Sequence, residues 1–506
     1  MENFALLMQG FQASLALHNI LAALAGVTLG TLAGVLPGIG ISGTIALLLP
    51  ISFGMEPLTA LIMFSGIYYG AMYGGSITSI LVNVPGEGAS VVTMIEGYQM
   101  ARRGRAGAAL AIAAIGSFVA GTLGVVGITF IAPPLAQVAI AFGPPEYFAI
   151  AALGLLVLTN LSGGSALRAV LMMLIGLMLG TVGMDYMTGL VRFGFGVDGL
   201  GDGLDFIVIV MGVFGLGEVL ARICERQNDV RVTKIKFKDL YPNREETRRS
   251  ILPIFRGGLI GAIMGLIPGP SGTISTFASY ALEKKLSTRR EEWGKGAIEG
   301  VAGPEAANNA ASSFTMIPLL SLGLPFSASA ALLLSGFMIH GIQPGPMLVS
   351  TEPVLFWGLI ASMYIGNLIC LILNLPLVGL FASVLRAPMR YLMPVVALVT
   401  FTGAYVLNYS LFDLGVLTFF GFLGFFLQMS GYSLAPLALG AFLGPQLEQG
   451  LIQTMVLTDG NIWTLMTRPL AGTALWLGVA MIGWMIFRFI RQLLRRSSSQ
   501  PVAEDV

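Results

Sequence analysis

The sequence predicts an all-α polytopic membrane protein with about 12 transmembrane helices, re-entrant or broken helices, and two inverted-topology repeats. Three observations predict it. Apolar residues make up 55% of the 506-residue chain and charged residues only 10%. Long runs carry no charge at all. Two distant stretches share one glycine–proline pattern.

A soluble domain carries about 25% charged residues. With a mean hydropathy of +0.83, this chain has more apolar surface than a water-soluble core can hide, so the bilayer is its expected solvent. Asn3–Met55, Ala106–Pro145 and Ala306–Ile339 contain no Asp, Glu, Lys or Arg. One spanning helix needs about 20 such residues, so each run holds more than one span, or a span plus a break. The net charge of +1 is spread over no basic domain, so no nucleic acid is expected as a partner. Cys224 and Cys370 match no metal or redox spacing and are expected to be free thiols. Met1–Gly10 has no Lys or Arg and no evident cleavage site, so the first apolar helix is expected to be retained.

Lys and Arg are absent before Arg102. They then cluster at Arg102–Arg105, Arg222–Arg249, Lys284–Lys295, Arg386–Arg390 and Arg488–Arg496. The positive-inside rule places these clusters in the cytoplasm, which leaves the N-terminus periplasmic and the C-terminus cytoplasmic. The resulting division is a first membrane repeat at 1–220, a cytoplasmic linker at 221–250, a second membrane repeat with additional C-terminal helices at 251–490, and a cytoplasmic tail at 491–506.

The repeat rests on a register. Gly26, Gly30, Gly34, Pro37 and Gly38 recur, at one constant offset, as Gly257, Gly261, Gly265, Pro268 and Gly269. After a two-residue gap, Ser42-Gly43-Thr44 matches Ser271-Gly272-Thr273. The second copy has basic residues on both flanks and the first has none, so equivalent ends are expected on opposite sides of the membrane. That is the plan of an inverted-topology transporter. As one straight helix, 251–283 would reach roughly 50 Å, well beyond the ~30 Å hydrocarbon core. Proline removes a helix hydrogen bond and glycine tolerates reversed backbone angles. A hairpin turning at Pro268-Gly269 therefore fits, and the first copy is expected to do the same from outside. The glycine stripes read as close-packing surfaces.

Ser42, Thr44, Ser271 and Thr273 stand where a second half-helix would begin, and Ser and Thr are good N-caps. A helix N-terminus suits an anion such as a carboxylate. With Asn308, the same hydroxyls are also a possible sodium site. The competing reading is that they only satisfy backbone at a broken helix. Each half holds a second break, at Asn83-Val84-Pro85-Gly86-Glu87-Gly88 and at Leu322-Gly323-Leu324-Pro325, the latter preceded by Pro304-Glu305-Ala306-Ala307-Asn308-Asn309. An unpaired amide is costly in an apolar run, so Asn308 and Asn309 are expected to face polar groups or ligand. Arg168, Asp185, Glu218, Glu305 and Asp413 each mark a pathway or a helix end; Glu218 reads as a helix end. His18 and His340 read as interfacial or structural.

There is no G-x-x-x-x-G-K-[ST] phosphate loop, so transport would draw on an ion gradient or a separate subunit. Gly269-Pro270-Ser271-Gly272 fits an intramembrane serine protease pattern, with His340 downstream. Gly40-Ile41-Ser42-Gly43 repeats it without a partner histidine, and a nucleophile needs one placed base. Protease and ion channel are the alternatives; no catalytic residue is expected.

The stretches GVLPGIGISGT, YGGSITSILVNVPGEGASVVTMIEGYQMARRGRAGAAL, GLIPGPSGT, GPEAANNAASSFTMIPLLSLGLPFSASAALLLSGFMIHGIQPGP and LAPLALGAFLGPQLEQGL resemble the large membrane subunit of tripartite tricarboxylate transporters. The similarity runs over most of the chain. It implies a bacterial inner-membrane secondary transporter for organic carboxylates such as citrate, working with a small membrane subunit and a periplasmic solute-binding protein. It implies no tightly bound cofactor and a coupling ion, sodium or proton. The family's motifs fall on Pro37, Gly38, Asn83, Pro85, Gly86, Pro268, Gly269, Asn308, Asn309 and Pro325; the hairpin reading adds Ser42, Gly43, Thr44, Ser271, Gly272 and Thr273. Two departures stand out: Glu96 where Asp is expected, and Glu87 where a small hydroxyl residue is common. Near the site, Glu87 would disfavour a trianion and signal a different carboxylate or a bound cation.

Overall fold

The structure, a computed structural model, describes residues 2–36, 40–161, 166–185, 188–224, 240–384 and 389–497. Pro37 and Gly38 of the first tip, and residues 225–239 of the expected linker, lie outside them. Among the described residues the regular structure is helical, apart from a two-residue antiparallel ladder of β1 (Gly183–Met184) with β2 (Val191–Arg192).

The first half runs through α1 (Glu2–Ser14), α2 (Leu17–Val35), α3 (Gly40–Leu48), α4 (Pro57–Val82), α5 (Val91–Arg102) and α6 (Ala106–Ile140). It continues with α7 (Pro144–Leu161), α8 (Ala166–Gly180), α9 (Phe206–Val210) and, after one π-helical stretch, α10 (Gly217–Cys224). The second half holds α11 (Arg244–Gly265), α12 (Ser271–Leu286), α13 (Glu299–Phe314), α14 (Met316–Leu322), α15 (Ala328–Ile339), α16 (Leu348–Thr351) and α17 (Pro353–Asn374). It ends with α18 (Val378–Val384), α19 (Met389–Asn408), α20 (Leu411–Met429), α21 (Ala435–Leu457), α22 (Ile462–Thr467) and α23 (Pro469–Ser497).

Among the described residues, five helices are long and apolar enough to cross a bilayer: α2, α6, α17, α20 and the first part of α23. Five shorter apolar helices accompany them. The helix α4 is different in kind. Nearly its whole length is buried, and it carries Ser65, Ser76, Thr78 and Ser79 inward, so its surroundings are protein rather than lipid.

The glycine stripes do what their spacing predicts. A Cβ at Gly26, Gly30 or Gly34 would lie 2.2 Å from the carbonyl oxygen of Met63, Ile67 or Ala71. The partners advance in step, so α2 and α4 run parallel, backbone against backbone. Helix α4 returns the contact: Gly66, Gly70 and Gly74 meet carbonyls of Ala23, Val27 and Thr31. In the second half, Gly257, Gly261 and Gly265 meet the carbonyls of Gly303, Ala307 and Ala311, so α11 and α13 are also parallel. The sequence pattern covered only the first helix of each pair; the structure shows each of them packed on a parallel partner. Asn83 ends α4 in the left-handed region (φ 59°) and Gly323 ends α14 likewise (φ 71°), each two residues before a proline.

Between the paired helices the chain turns back. In the second half, Arg256 on α11 holds Glu283 on α12 through Nε–Oε1 at 2.7 Å and Nη2–Oε2 at 2.5 Å. These residues are far from the turn at 266–270, so the two helices lie side by side and antiparallel. The expected hairpin is present. In the first half, Thr59 at the start of α4 donates to Asn19 near the start of α2 at 2.6 Å. The chain leaving α2 has therefore returned to its own end within α3 and the short 3-10 turn Pro50–Gly54.

Basic clusters far apart in sequence meet in one ion-pair network. Arg105 binds Glu246 through Nε–Oε1 at 2.9 Å, and Arg249 binds Glu299 at 2.7 Å and Glu292 at 2.6 Å. Arg289 reaches Glu245 at 2.7 Å. The Glu292 carboxyl sits below its ordinary range: slight burial pushes it up, and the bond and charge of Arg249, with the charge of Arg289, outweigh that. This contribution is present at neutral pH and fades on acidification through the carboxylate range.

A substitution separates the stripe from an ordinary glycine. Gly30→Val drives a side chain into the Ile67 carbonyl and should cost about 1–3 kcal/mol. Gly415→Ala, on α20 with open space around its Cβ position, should be neutral or stabilising by up to about 1 kcal/mol. Thermal unfolding of the detergent-solubilised variants checks both.

Candidate functional site

The breaks within each half are joined first. In the second half, Gly269 adopts a left-handed φ of 133°, and its N–H donates to Phe326 O at 2.9 Å. Pro268 and Pro325 share a small apolar pocket with Gly154. In the first half, Gly86 packs against Gly75 and the carbonyl of Gly34, so tightly that a Cβ would lie 2.2 Å from that oxygen. In the second half the hairpin tip therefore abuts the second break, and in the first half the second break abuts the end of α2.

The two halves then close on one cavity of about 320 Å³. Four helix starts converge on it. Helix α3 presents Ile41, Ser42 and Gly43; α12 presents Ser271, Gly272 and Thr273. The short turn Gly88–Ser90 that leads into α5 presents Glu87, Gly88 and Ala89, with Glu87 as its N-cap. Helix α15 presents Ser327 and Ser329, and Ser327 caps it by accepting from the Ala330 N–H at 3.2 Å. The contacts cross between halves. Ser42 and Ser329 hydroxyls stand 3.5 Å apart, and Asn308 Nδ2 donates to Glu87 Oε1 at 2.7 Å. The rest of the wall comes from Tyr68, Met72, Phe214, Glu218 and Ser312. Among the described residues, no Lys, Arg or His lines it.

This arrangement can attract an anion without a basic side chain. Helix starts carry unpaired N–H groups and partial positive charge. Ser271 Oγ lies 3.2 Å from Thr315 Oγ1, so its hydroxyl partner is a threonine and not His340. The Nδ2 of Asn308 is used by Glu87, while its Oδ1 is buried without a partner. No group of three or more His, Cys, Asp or Glu that could hold a metal ion occurs among the described residues.

Of the residues expected at the site, Ser42, Gly43, Gly269, Ser271, Gly272, Thr273 and Asn308 line the cavity. Thr44 is buried beside it. Asn83 is an exposed helix end, and Pro85, Gly86, Pro268 and Pro325 shape the breaks. Asn309 faces away: its Nδ2 donates to Ser117 Oγ at 2.7 Å and to Glu305 O at 3.1 Å. Ser327 and Ser329 were missed, although their Ser-x-Ser opening after Pro325 is the same helix-start signal read at Ser271. Glu87, noted only as a departure, lines the wall. Glu96 does not: it accepts from Tyr280 OH and from the N–H groups of Gly294, Gly296 and Ala297 at 2.6–2.9 Å, clasping α5 to the segment before α13.

Of the remaining ionisable residues, Glu218 lies on this wall and the others fall elsewhere. Arg168 donates to Ser430 O and lies over the Tyr432 ring. Asp185 and Asp413 line a second, wider cavity of about 870 Å³ with Asp202, Asp205 and an Arg192–Glu448 ion pair. Glu218 accepts from Gln428 at 2.8 Å on the wall of the first.

The sequence profile described as the tripartite tricarboxylate transporter TctA family matches residues 20–439. The chain belongs to this family. It is 48% identical over 482 residues to an uncharacterized 52.8 kDa protein in the TAR-I ttuC' 3'region of Agrobacterium vitis, covering 95% of this chain and 96% of that one. A second uncharacterized protein, in the TAR-II ttuC' 3'region of the same organism, is 45% identical over 222 residues, covering 44% of this chain and 92% of that one. No solved structure matches it.

Asn309 and Ser42 should behave oppositely on truncation. Asn309→Ala breaks two buried hydrogen bonds and should cost about 1–3 kcal/mol. Ser42→Ala, on a cavity wall with one long contact, should stay within about 0.5 kcal/mol. Melting curves in detergent read the difference.

Proposed function

We propose that the chain is the large membrane subunit of a binding-protein-dependent secondary transporter that imports an organic carboxylate by cation-coupled alternating access. One observation carries this reading: four helix starts, two from each half, face one cavity that has no basic side chain among the described residues. At about 320 Å³ the cavity falls at the small end of ligand-sized sites. A carboxylate would be held by backbone N–H groups and by the hydroxyls of Ser42, Ser271 and Thr273. Glu87 and Glu218 stand on the same wall, so a multiply charged anion would be repelled unless a cation or proton came with it. Sodium at Ser42, Thr44, Ser271, Thr273 and Asn308 is one way to supply that charge.

The two halves are read as inverted repeats with about 12 crossings between them. The antiparallel course of the equivalent helices α4 and α13 supports this: Tyr68 and Ser312 meet on the wall of one cavity while Ser76 bonds Glu305. The ion-pair network gathers the early basic clusters at one end, which the positive-inside rule assigns to the cytoplasm. The repeat boundaries at 220 and 251 follow from the same charges. A small membrane subunit and a periplasmic solute-binding protein complete the assembly in the bacterial inner membrane, and no catalytic role is assigned. The protease alternative loses its support in the Ser271–Thr315 pairing.

Uptake into proteoliposomes containing both partner subunits, over a panel of mono-, di- and tricarboxylates, tests the proposal. Accumulation of none of them, or gradient-independent ion flux, would overturn it. Ser271→Ala combined with Thr273→Ala should weaken uptake at least tenfold, equivalent to about 1.4 kcal/mol, with expression intact; normal transport would remove the tips from the site. Glu87→Thr should shift preference toward more highly charged carboxylates, and an unchanged profile across the panel would show that Glu87 does not set specificity.

A further inference from the structure

Behind the cavity, α13 buries a second carboxylate. Glu305 is 1% exposed. Its hydrogen-bond partners are hydroxyls: Ser76 on α4 donates to Oε2 at 2.6 Å and Thr93 on α5 donates to Oε1, while Ser117 on α6 lines the same small space. Residues from three helices of the first half thus surround one carboxyl of the second half. An isolated buried charge is costly, so what neutralises this one is a physical question.

The bases on neighbouring elements are committed elsewhere or face water. On α11, Arg249 pairs with Glu292 and Glu299, and Arg256 pairs with Glu283 of α12; Arg244, Glu245 and Arg248 are exposed, and Glu246 pairs with Arg105. On α12, Lys284 and Lys285 are exposed and Tyr280 donates to Glu96 of α5; α5 also carries Tyr98 and, at its far end, Arg102. Helices α6 and α14 have no charged residue, and α4 offers only Tyr68, Tyr69 and Tyr73. The loop before α5 brings Glu87, a like charge. Helix α17 brings the Cys370 thiol and Asn374.

Asn374 supplies the second observation. It is 3% exposed, its Nδ2 is used by Cys370 O and Thr31 Oγ1, and its Oδ1 has no partner. Asn374 and Glu305 line the same enclosed space of about 10 Å³, close to the least that admits one water. A carboxylate at Glu305 uses the hydroxyls as donors. A carboxylic acid has one O–H to give, and a water in this space would pass that bond to the orphaned Asn374 oxygen. Hydroxyls can turn from donor to acceptor, so both forms of Glu305 find partners without rearranging the helices. A hydrated metal cation has no room here.

We propose that Glu305, with Ser76, Thr93, Ser117 and Asn374, is the binding site of a coupling proton, separate from the carboxylate cavity and one helical turn from Asn308. A proton adds to a carboxylate oxygen of Glu305 and leaves from it during the transport cycle. Asn308, one turn along α13 from Glu305, holds Glu87 on the cavity wall, and like charges repel, so loading of either carboxyl is felt by the other. The inference rests on the carboxylate-transport reading.

The test uses the complete transporter in proteoliposomes and Glu305→Gln, which keeps the shape and fixes the group neutral. The variant should lose accumulation driven by an imposed proton gradient and keep carboxylate exchange within a few-fold of the unsubstituted protein. Undiminished gradient-driven accumulation by the variant overturns the proton site. Exchange by the unsubstituted protein tests the carboxylate reading separately; its absence would overturn that reading instead. Should the variant lose exchange as well, labelling decides: a hydrophobic carbodiimide, which reacts with protonated carboxyls, should modify Glu305 of the unsubstituted protein more at acidic than at alkaline pH. Equal labelling at both, or none, overturns the proposal.

Discussion

The approach of backbone to backbone along the glycine ridges is the constraint from which the rest follows. With carbonyl oxygens standing where Cβ atoms would be, α2 can sit only on α4 and α11 only on α13, in one register and one direction. A parallel pair cannot be joined by a tight turn. The chain must travel back along the membrane between them, and it does so through a break and a short return helix. The breaks are a geometric consequence of the ridges, and the helix starts they create are the material of the cavity.

Two such units, interlocked, place polar groups where neither could alone. Glu87 from one half is held by Asn308 from the other, and Glu305 is wrapped by hydroxyls from the opposite half. Lipid contributes no hydrophobic drive between helices, so close packing and these crossed hydrogen bonds hold the centre together. The Glu96 clasp and the arginine network do comparable work at the polar end.

The all-α membrane class, the hairpin at Pro268-Gly269 and the stripe contacts were legible because each rests on a local, strongly patterned signal. The glycines at every fourth position announced a face, and the face proved to be used. The partner ridge on α13 was not legible, because alanine at 307 and 311 packs as glycine does but is too common in such a chain to stand out. Ser271 and Thr273 were singled out on helix-start reasoning, and Asn308 on the cost of an unpaired amide in an apolar run. Asn309 could not be told from Asn308 by sequence, since adjacent residues on a helix point about 100° apart and only the neighbours decide which one faces the void. Ser327 and Ser329 were overlooked because their helix start lacked the glycine prelude that drew attention to the other two. Residues 37 and 38 fall outside the described chain, so the first tip is known only through Ser42 and Gly43.

The absence of Lys, Arg and His among the described residues of the cavity has a further consequence. Attraction that comes from peptide groups at helix starts has no titration curve: it can be neither protonated away nor neutralised by a neighbouring acid. Its strength depends on where the helix axes point. Tilting one half against the other would weaken the grip on an anion directly, with no counter-charge to be pulled off first. Release of an anion held in this way would be a matter of geometry, and any acidity dependence of its binding would belong to the carboxyls.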